Sequence, residues 1–321
     1  MEIRGNYHTH STFCDGKNTI AEMAEAAFHA GATHLGFSGH IDPGVLMQDI
    51  PGYFREVDRL RAAYAGRMHI FRGIELDNAY KRSCADSAEY IIGSTHFIPV
   101  QGSPVWENTM PIGNGAAKNE EERIKELGLI CVDNTAEILH EGCKHYYDGD
   151  YYRMAADYYR FESMVVERLQ PTFIGHFDLI TRFNDLPAEE SGHFLDETDA
   201  RYLKPAEEAM EKLAAAQIPF ELNLGALNRG RKKEPYPRIE LLKYLHTLGG
   251  EIIVSSDAHD RDHIFGGFGE GIEALRKAGF DHVLILVREK TGRPAANTCQ
   301  DADYFSCDQK SKPLYWREIE I

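Results

Sequence analysis

Short runs of β-branched and aromatic residues recur along the chain, and most are followed by a longer segment whose apolar residues have helical spacing. The short runs predict strands at residues 7–10, 34–40, 69–76, 90–97, 172–177, 219–224, 251–255 and 282–287. The longer segments predict helices at residues 19–30, 53–65, 119–138, 151–169, 197–216, 238–248 and 269–278. Strands that alternate with helices are typical of βαβ units around a parallel sheet. Seven or eight such repeats favour a closed or distorted (β/α) barrel over an open sheet.

Two segments depart from this alternation. Residues 99–150 combine a stretch rich in Gly, Pro and Asn with a charged helix, which predicts an insertion or lid on the barrel. Residues 291–321 are polar and weakly periodic, and the pattern assigns them no role. We therefore expect one barrel domain over residues 1–290, with the insertion at about 99–150, and a C-terminal extension over residues 291–321.

Charge and composition narrow the range of partners. The 321 residues carry a formal net charge of −16, which argues against broad attraction to nucleic acid or to an anionic membrane. An anionic substrate would therefore need a local positive centre, such as metal ions. The sequence shows neither a long apolar stretch nor a signal peptide, so a cytoplasmic protein is expected. The six cysteines have no C-x-x-C spacing and are expected to be free thiols.

Side chains that can bind metals follow the predicted strands. They lie at or just after the C-terminal ends of six strands, where the active site of a parallel α/β barrel is built. These candidates are His8, His10, Asp15, His40, Glu75, His96, His176, Asp257 and His259. Each histidine taken singly is explained as well by a hydrogen-bonded polar residue at a strand end. Taken together, the nine positions predict a metal centre.

Spacing within the first strand supports the metal interpretation. Because side chains alternate along a strand, His8 and His10 point the same way and can hold one ion. Asp257 and His259 repeat this spacing after the apolar run 252–254. Either pair alone is weak support, because two polar residues often share a strand face for structural reasons.

The order of these residues resembles the polymerase and histidinol phosphatase (PHP) superfamily. The resemblance rests on H-x-H-x-x-x-x-D at residues 8–15, the ligand-type residues of the next three strands, G-H-x-D at 175–178 and S-D-A-H at 256–259. Within the superfamily the chain is most similar to the stand-alone histidinol-phosphate phosphatases of histidine biosynthesis, through STFCDG, GHFDLITRF and FELNLGALNRGRKKEPYP. One departure is Asn228 at the position where these phosphatases commonly carry arginine, which displaces the arginine by one residue to Arg229.

The resemblance implies a distorted (β/α)7 TIM-like barrel that binds two to three divalent metal ions at the C-terminal ends of its strands. The implied ligands are His8, His10, Glu75 and Asp257 for the first ion, Glu75, His96 and His176 for the second, and Asp15, His40 and His259 for the third. Imidazole and carboxylate ligands suit zinc, iron or manganese, and the sequence does not choose among them.

The implied reaction is hydrolysis of L-histidinol phosphate to L-histidinol and phosphate by attack of a metal-bridging hydroxide. Glu75 would bridge two ions, and Asp257 would give a proton to the leaving alkoxide. Arg182 and Arg229 would bind the phosphate through paired N–H donors, although each is also explained as a solvated surface arginine.

The sequence also suggests roles for five other charged residues. Asp178 is expected to orient a histidine ligand, and Lys232 and Lys233 are expected to be a solvated pair in a loop. Either Asp42 or Glu107 would bind the substrate amine, on the basis of their charge alone.

Other functions remain open at this point. A superfamily member could act on a nucleotide, a small phosphodiester or a phosphoprotein, and a non-catalytic module could use the metals for stability alone. Missing ligands would mark such a module, whereas all nine positions are filled here. An amidohydrolase-type barrel also starts with H-x-H but usually needs a lysine at a later strand end, and none of the strand ends named above carries one.

Overall fold

The computed structural model describes residues 3–110, 120–190, 192–290, 292–297 and 313–321. Its helices are α1 (Ile20–His29), α2 (Ile50–Ala63), α3 (Glu120–Leu127), α4 (Ala136–Tyr147), α5 (Tyr151–Glu162), α6 (Val165–Leu169), α7 (Ala200–Ala214), α8 (Gly225–Asn228), α9 (Ile239–Thr247) and α10 (Phe268–Ala278). Its strands are β1 (Gly5–Asn6), β2 (His34–Ile41), β3 (His69–Asp77), β4 (Tyr90–Ser94), β5 (Phe97–Pro99), β6 (Leu129–Cys131), β7 (Phe173–Ile174), β8 (Phe220–Asn223), β9 (Ile252–Ser255), β10 (His282–Val287), β11 (Arg293–Pro294) and β12 (Tyr315–Glu320).

Most strands belong to one sheet with the order β1-β2-β3-β4-β7-β8-β9-β10-β12-β11. The pairs from β1 to β10 are parallel, and β12 runs antiparallel to both β10 and β11. Strands β5 and β6 form a separate antiparallel pair. This mixed α/β architecture with a mostly parallel sheet confirms the fold class predicted from the alternation of strands and helices.

The chain after β1 also contacts the chain after β9. Thr9 and Ala258 form a parallel bridge, in which His10 N donates to Ala258 O at 2.9 Å and Ala258 N donates to His8 O at 3.3 Å. The two motifs that contain H-x-H and D-x-H are therefore held side by side by backbone hydrogen bonds.

Several predicted elements differ from the observed ones. The strand predicted at 7–10 is wrong in its bounds, because β1 covers only Gly5–Asn6 and Thr9 forms a separate bridge. The helix predicted at 119–138 is wrong, because α3 ends at Leu127 and the apolar residues that follow pair with β5 as β6. Gly128 has a φ of +61°, a left-handed conformation that ends the helix at little steric cost. The strand predicted at 90–97 is divided into β4 and β5, and the helix predicted at 151–169 is divided into α5 and α6.

Aromatic side chains fill the space between the central strands. Tyr90 Oη lies 2.6 Å from Tyr7 O, and its ring lies against the backbone of β2 and β3. A Cβ atom at Gly36 or Gly73 would come within 2.2 Å of that ring or its hydroxyl, so both strands need glycine at the contact. The same cluster includes Leu286 and other residues of β10, and Tyr7 Oη donates to Leu286 O at 2.7 Å.

Part of the C-terminal extension has a defined structure. Residues 315–320 form β12 along β10, and Trp316 and Leu314 are buried. The predicted tail also includes residues 291 and 298–312, and the insertion includes residues 111–119; these lie outside the described residues. No helix in the described ranges has the length and apolar character needed to cross a membrane.

Candidate metal centre and its cavity

The carboxyl ends of the parallel strands bring all nine candidate residues together. Strands β2 and β3 pair with His40 opposite Glu75, while His96, His176 and Asp257 each follow the end of a strand by two residues. Six of the nine residues are buried and Asp257 is nearly so, whereas the side chains of His259 and Asp15 are 25% and 37% accessible. The structure therefore gives the nine residues one shared location.

Glu75 lies at the middle of this group. Five histidine rings approach its two oxygens at nitrogen-to-oxygen distances of 2.7–3.4 Å: His8, His10 and His40 at Oε2, and His96 and His176 at Oε1. Burial opposes ionisation of Glu75, but the surrounding histidines hold its pKa well below the usual range. Ser94 Oγ also donates to Oε1 at 2.8 Å. Glu75 is thus an ionised carboxylate in contact with five imidazoles.

Asp257 and Asp15 complete the cluster on its other side. Asp257 Oδ1 lies 3.2 Å from His10 Nε2 and 3.6 Å from His8 Nε2. Asp15 Oδ2 lies 3.2 Å from His259 Nε2, and its Oδ1 lies 3.7 Å from His40 Nε2. Each of these contacts joins a carboxylate to an imidazole. Asp257 also has a guanidinium neighbour, since its Oδ2 lies 3.5 Å from Arg229 Nη2.

Three sets of ligand atoms within this cluster are close enough to hold a metal ion. They are His10, Asp15, His40 and His259; His8, His10 and Glu75; and His40, Glu75 and His96. The first set contains the third group expected from the resemblance and adds His10. The third set contains His40 where the resemblance implied His176, although His176 Nε2 remains 2.7 Å from Glu75. Which residues bind which ion stays a prediction.

The chemistry of the donor set fits divalent metal ions. His10 Nε2 and His40 Nδ1 are buried, with carboxylate oxygens 3.1–3.4 Å away but no aligned hydrogen bond. Burial and the two neighbouring histidines lower the pKa of His10 to about 3, so its imidazole is neutral and keeps a free lone pair. Burial opposes protonation of His8, His40 and His96, but the nearby carboxylates hold their pKa values well above the usual range, so a bound metal ion would replace their protons. Imidazole and carboxylate ligands suit zinc, iron or manganese.

Two buried acids that support the histidines were missed by the sequence analysis. Glu221 Oε1 lies 2.7 Å from His8 Nδ1, and its Oε2 accepts from His176 N at 2.9 Å. Asp77 Oδ2 accepts from His96 N at 2.9 Å and lies 3.2 Å from His96 Nδ1. Such contacts fix the orientation of an imidazole that binds a metal through its other nitrogen. The available signal was an acid inside the apolar runs FELN and IELD.

Two expectations about charged residues are wrong. Asp178 Oδ1 accepts from the hydroxyls of Tyr159 and Tyr202 at 2.5 Å each, not from a histidine, and burial raises the pKa of Asp178 to about 7. Lys232 is buried rather than solvated, and its Nζ donates to Thr181 O at 3.2 Å and Thr181 Oγ1 at 2.9 Å. Lys233 is exposed, as expected.

A cavity of about 440 Å³ opens beside the histidine cluster. Arg182 and Arg229 both line it, and Arg231, which the sequence analysis passed over, is a third arginine on its wall. Arg229 Nη1 donates to Asp257 O at 3.0 Å, so the displacement by one residue leaves this arginine at the site. The cavity therefore places three guanidinium groups beside the carboxylates and imidazoles.

The two residues suggested for the substrate amine are not suited to it. Glu107 is exposed and does not line the cavity. Asp42 lines the cavity, but its Oδ1 accepts from Gly44 N and Val45 N at 2.6 Å and its Oδ2 lies 3.1 Å from His40 Nδ1. The oxygens of Asp42 are therefore already occupied.

Comparison with known proteins adds a family match that covers most of this site. The model of the PHP domain family matches residues 6–224, a range that contains all the candidate ligands except Asp257 and His259. A Schizosaccharomyces pombe protein named "Probable histidinol-phosphatase" is 23% identical over 269 residues, which cover 79% of this chain and 74% of that protein.

Two solved structures have the same fold. A crystal structure from Listeria monocytogenes matches with a TM-score of 0.65 and 18% identity, and covers 83% of this chain and 99% of that chain. The histidinol phosphate phosphatase of Lactococcus lactis, crystallised with zinc, L-histidinol and phosphate, matches with a TM-score of 0.57 and 18% identity, and covers 88% of this chain and 95% of that chain. At this level of identity the likeness establishes the mixed α/β fold.

Proposed function

The chain belongs to the PHP domain family, and from this premise we propose that it is a metal-dependent phosphomonoesterase that hydrolyses L-histidinol phosphate to L-histidinol and phosphate. The observation that carries the proposal is one cavity lined both by the histidine and carboxylate cluster and by three arginines. The cluster is a donor set for divalent cations, and the arginines are donors for phosphate oxygens. The name of the S. pombe relative and the molecules bound in the L. lactis structure support the choice of substrate.

We propose that the parallel strands form a distorted (β/α)7 barrel. The bridge between Thr9 and Ala258 supports this closure, since it joins the chain after the first strand to the chain after the seventh parallel strand of the order β1-β2-β3-β4-β7-β8-β9. Residues 1–290 as the barrel domain, residues 291–321 as an extension and a cytoplasmic location stay predictions from the sequence.

The proposed site binds two to three divalent ions of zinc, iron or manganese. We assign His8, His10, Glu75 and Asp257 to the first, Glu75, His96 and His176 to the second, and Asp15, His40 and His259 to the third. The distances from Glu75 to five imidazoles support its role as the shared ligand. When bound, the ions would lower the pKa of a water molecule and neutralise charge on the phosphate.

Side chains of the protein would bind the phosphate and transfer the proton. Arg182 and Arg229 would bind and orient the phosphate of the substrate. Burial opposes ionisation of Asp257, but His8, His259 and Arg229 hold its pKa well below the usual range. An ionised Asp257 can accept a proton from the attacking water and pass it to the leaving oxygen of histidinol. Glu221 and Asp77 keep the imidazoles of His8 and His96 in place during the reaction.

A substrate panel tests the proposed activity. Phosphate release would be measured for L-histidinol phosphate beside a nucleotide, a phosphodiester, a phosphopeptide and simple monoesters. We expect the largest kcat/KM for L-histidinol phosphate. An equal or larger kcat/KM for another compound would contradict the specific substrate while leaving a phosphoesterase of this family, and no turnover of any compound would favour a non-catalytic module.

Metal analysis tests the proposed centre independently of the substrate. Purified protein should contain two or three equivalents of zinc, iron or manganese per chain. One equivalent or none, with full activity, would contradict the assignment of ligands to several ions.

A further inference from the structure

Six carboxylates from the described residues line the cavity, and most of them already have partners. They are Asp15, Asp42, Glu75, Asp133, Asp257 and Asp260. Four of the six contact histidines: Asp15, Asp42, Glu75 and Asp257. Asp260 accepts from Lys17 Nζ at 3.1 Å and from Asp262 N at 3.1 Å. Among these six carboxylates, Asp133 is the one that contacts neither a histidine nor a lysine, and its charged contact is Arg182. It is therefore the candidate for a ligand with positive charge.

The contacts of Asp133 leave acceptor positions open. Cys131 Sγ donates to its Oδ1 at 3.3 Å, and Arg182 Nη1 lies 3.5 Å from its Oδ2. A thiol is a weak donor and 3.5 Å is a long contact, whereas an ionised carboxylate can accept about four hydrogen bonds. The Asp133 side chain is 24% accessible, so it is reached from the cavity.

The position of Asp133 is fixed relative to the histidine cluster. Strand β6 pairs with β5 through Phe97 and Cys131, and Val132 N donates to His96 O at 2.9 Å. Asp133 is the next residue along the chain. The insertion thus delivers this carboxylate to the cavity through backbone hydrogen bonds to a candidate metal ligand.

We propose that Asp133 binds the ammonium group of the substrate and so selects aminoalkyl phosphates, an inference that rests on the proposed function. In L-histidinol phosphate only the ester oxygen and two carbons separate the phosphorus from the amine nitrogen. A phosphate bound by Arg182 therefore brings the amine within reach of Asp133, since the two side chains are 3.5 Å apart. The insertion then has a role in substrate choice, while the strand ends hold the ions.

Another role for Asp133 makes a different prediction. If the carboxylate only held Arg182 in place, its loss would weaken binding of every phosphate ester equally. If it binds the ammonium, its loss would affect only substrates that carry that group. Substrates with and without an amine therefore separate the two roles.

The test uses the metal-loaded Asp133→Asn variant, which keeps the shape of the side chain and removes its charge. We expect kcat/KM for L-histidinol phosphate to fall about tenfold to hundredfold, mostly through KM, because a hydrogen bond between charged groups is lost. 4-Nitrophenyl phosphate has no amine, and its kcat/KM should change by less than about threefold on the same reasoning. Inhibition by L-histidinol should weaken, whereas inhibition by inorganic phosphate should persist. Asp260→Asn controls for the loss of one negative charge at the cavity and should leave the preference intact.

The outcomes distinguish this inference from the proposed function. Equal losses for both esters in Asp133→Asn, or unchanged inhibition by L-histidinol, would overturn the role of Asp133 alone. Wild-type protein that shows no preference for L-histidinol phosphate over 4-nitrophenyl phosphate would overturn the proposed function and this inference together. Activity toward 4-nitrophenyl phosphate also reports that the variant is folded and metal-loaded.

Discussion

Two buried glutamates on neighbouring strands have opposite surroundings. Glu89 precedes β4 at its amino end, where it accepts from Arg72 N at 2.9 Å, from Arg288 Nη1 at 2.6 Å and from Arg61 Nη2. Glu75 lies near the carboxyl end of β3 and is surrounded by five histidines. Guanidinium groups are always charged, whereas an imidazole can be neutral and present a lone pair.

The difference separates a structural charge from a functional one. At Glu89 the protein supplies permanent cations, so the carboxylate is compensated within the fold. At Glu75 the protein supplies imidazoles, which can balance the carboxylate by holding a proton or give that proton up and bind a cation from solution in its place. Glu89 and Glu75 are buried to a similar degree. Glu89 thus stabilises the amino end of the sheet, whereas Glu75 belongs to the candidate site at the carboxyl end.

Replacing Glu75 should have the largest effect of any change considered. Glu75→Gln removes the charge shared by the five histidines, and we expect activity to fall by more than about a hundredfold, since even loss of an outer partner of a metal ligand costs about 10- to 100-fold. Phosphate release and metal content of the purified variant would be measured together. Retention of more than about a tenth of the activity would count against a role for Glu75 at the centre.

Replacing Glu89 at the amino end of the sheet should lower stability and leave activity unchanged. Glu89→Gln leaves Arg61 and Arg288 without their carboxylate, so the free energy of unfolding should fall by about 3–5 kcal/mol while kcat/KM stays unchanged under native conditions. Urea unfolding of both glutamate variants gives the comparison directly. If Glu89→Gln lost activity without losing stability, the division between the two ends would be wrong.

The sequence predicted the residues around Glu75 better than it predicted those around Glu89. The nine candidate ligands could be found because the short apolar runs indicate where each strand ends. The carboxyl ends of parallel strands meet, so residues at those ends lie close together. Glu221 and Asp77 were missed, since an acid in an apolar strand has meaning only when its neighbour across the sheet is known. Asp133 was missed because residues 129–131 continue the apolar pattern of the predicted helix, and only their pairing with β5 makes them a strand.

The partners of charged residues at the amino end of the sheet and in loops could not be predicted from the sequence either. The partners of Glu89 are up to 199 residues away along the chain, and no local pattern links Glu89 to Arg288. Lys232 was expected to be solvated because its neighbours in the sequence are charged. Its burial depends on Thr181, which is 51 residues away. The periodicity of apolar residues predicts helices and strands, whereas the partners of charged side chains depend on tertiary contacts.

A third buried glutamate shows another way to accommodate the charge. Glu162, the last residue of α5, has its pKa raised to about 8 by burial, with a smaller contribution from Asp77. It therefore keeps a proton in the folded state at a pH where the unfolded chain has lost it. Stability from this group is present at low pH and is lost as pH rises toward about 8.

Glu162→Gln tests this assignment. From about pH 5 to about pH 8 the wild type should lose roughly 2–3 kcal/mol of stability relative to the variant, because the glutamine cannot ionise. Urea midpoints at several pH values, taken as differences between the two proteins, remove the contribution of the histidines. Parallel curves would show that Glu162 is already ionised in the folded protein at low pH.

The smallest expected effect concerns Lys232, a buried cation near the metal end. Its hydrogen bonds to Thr181 join the loop that carries Arg229 and Arg231 to the turn that precedes Arg182. Lys232→Met keeps the apolar stem and removes the ammonium, so the arginines should lose part of their mutual alignment. We expect KM for the phosphate substrate to rise about three- to tenfold, on the order of 1 kcal/mol, with a smaller change in kcat. The neighbouring exposed Lys233→Met is the matched control and should change neither value. A KM that is equal in the two variants would mean that the arginines are positioned without Lys232, and that its charge, like that of Glu89, serves stability alone.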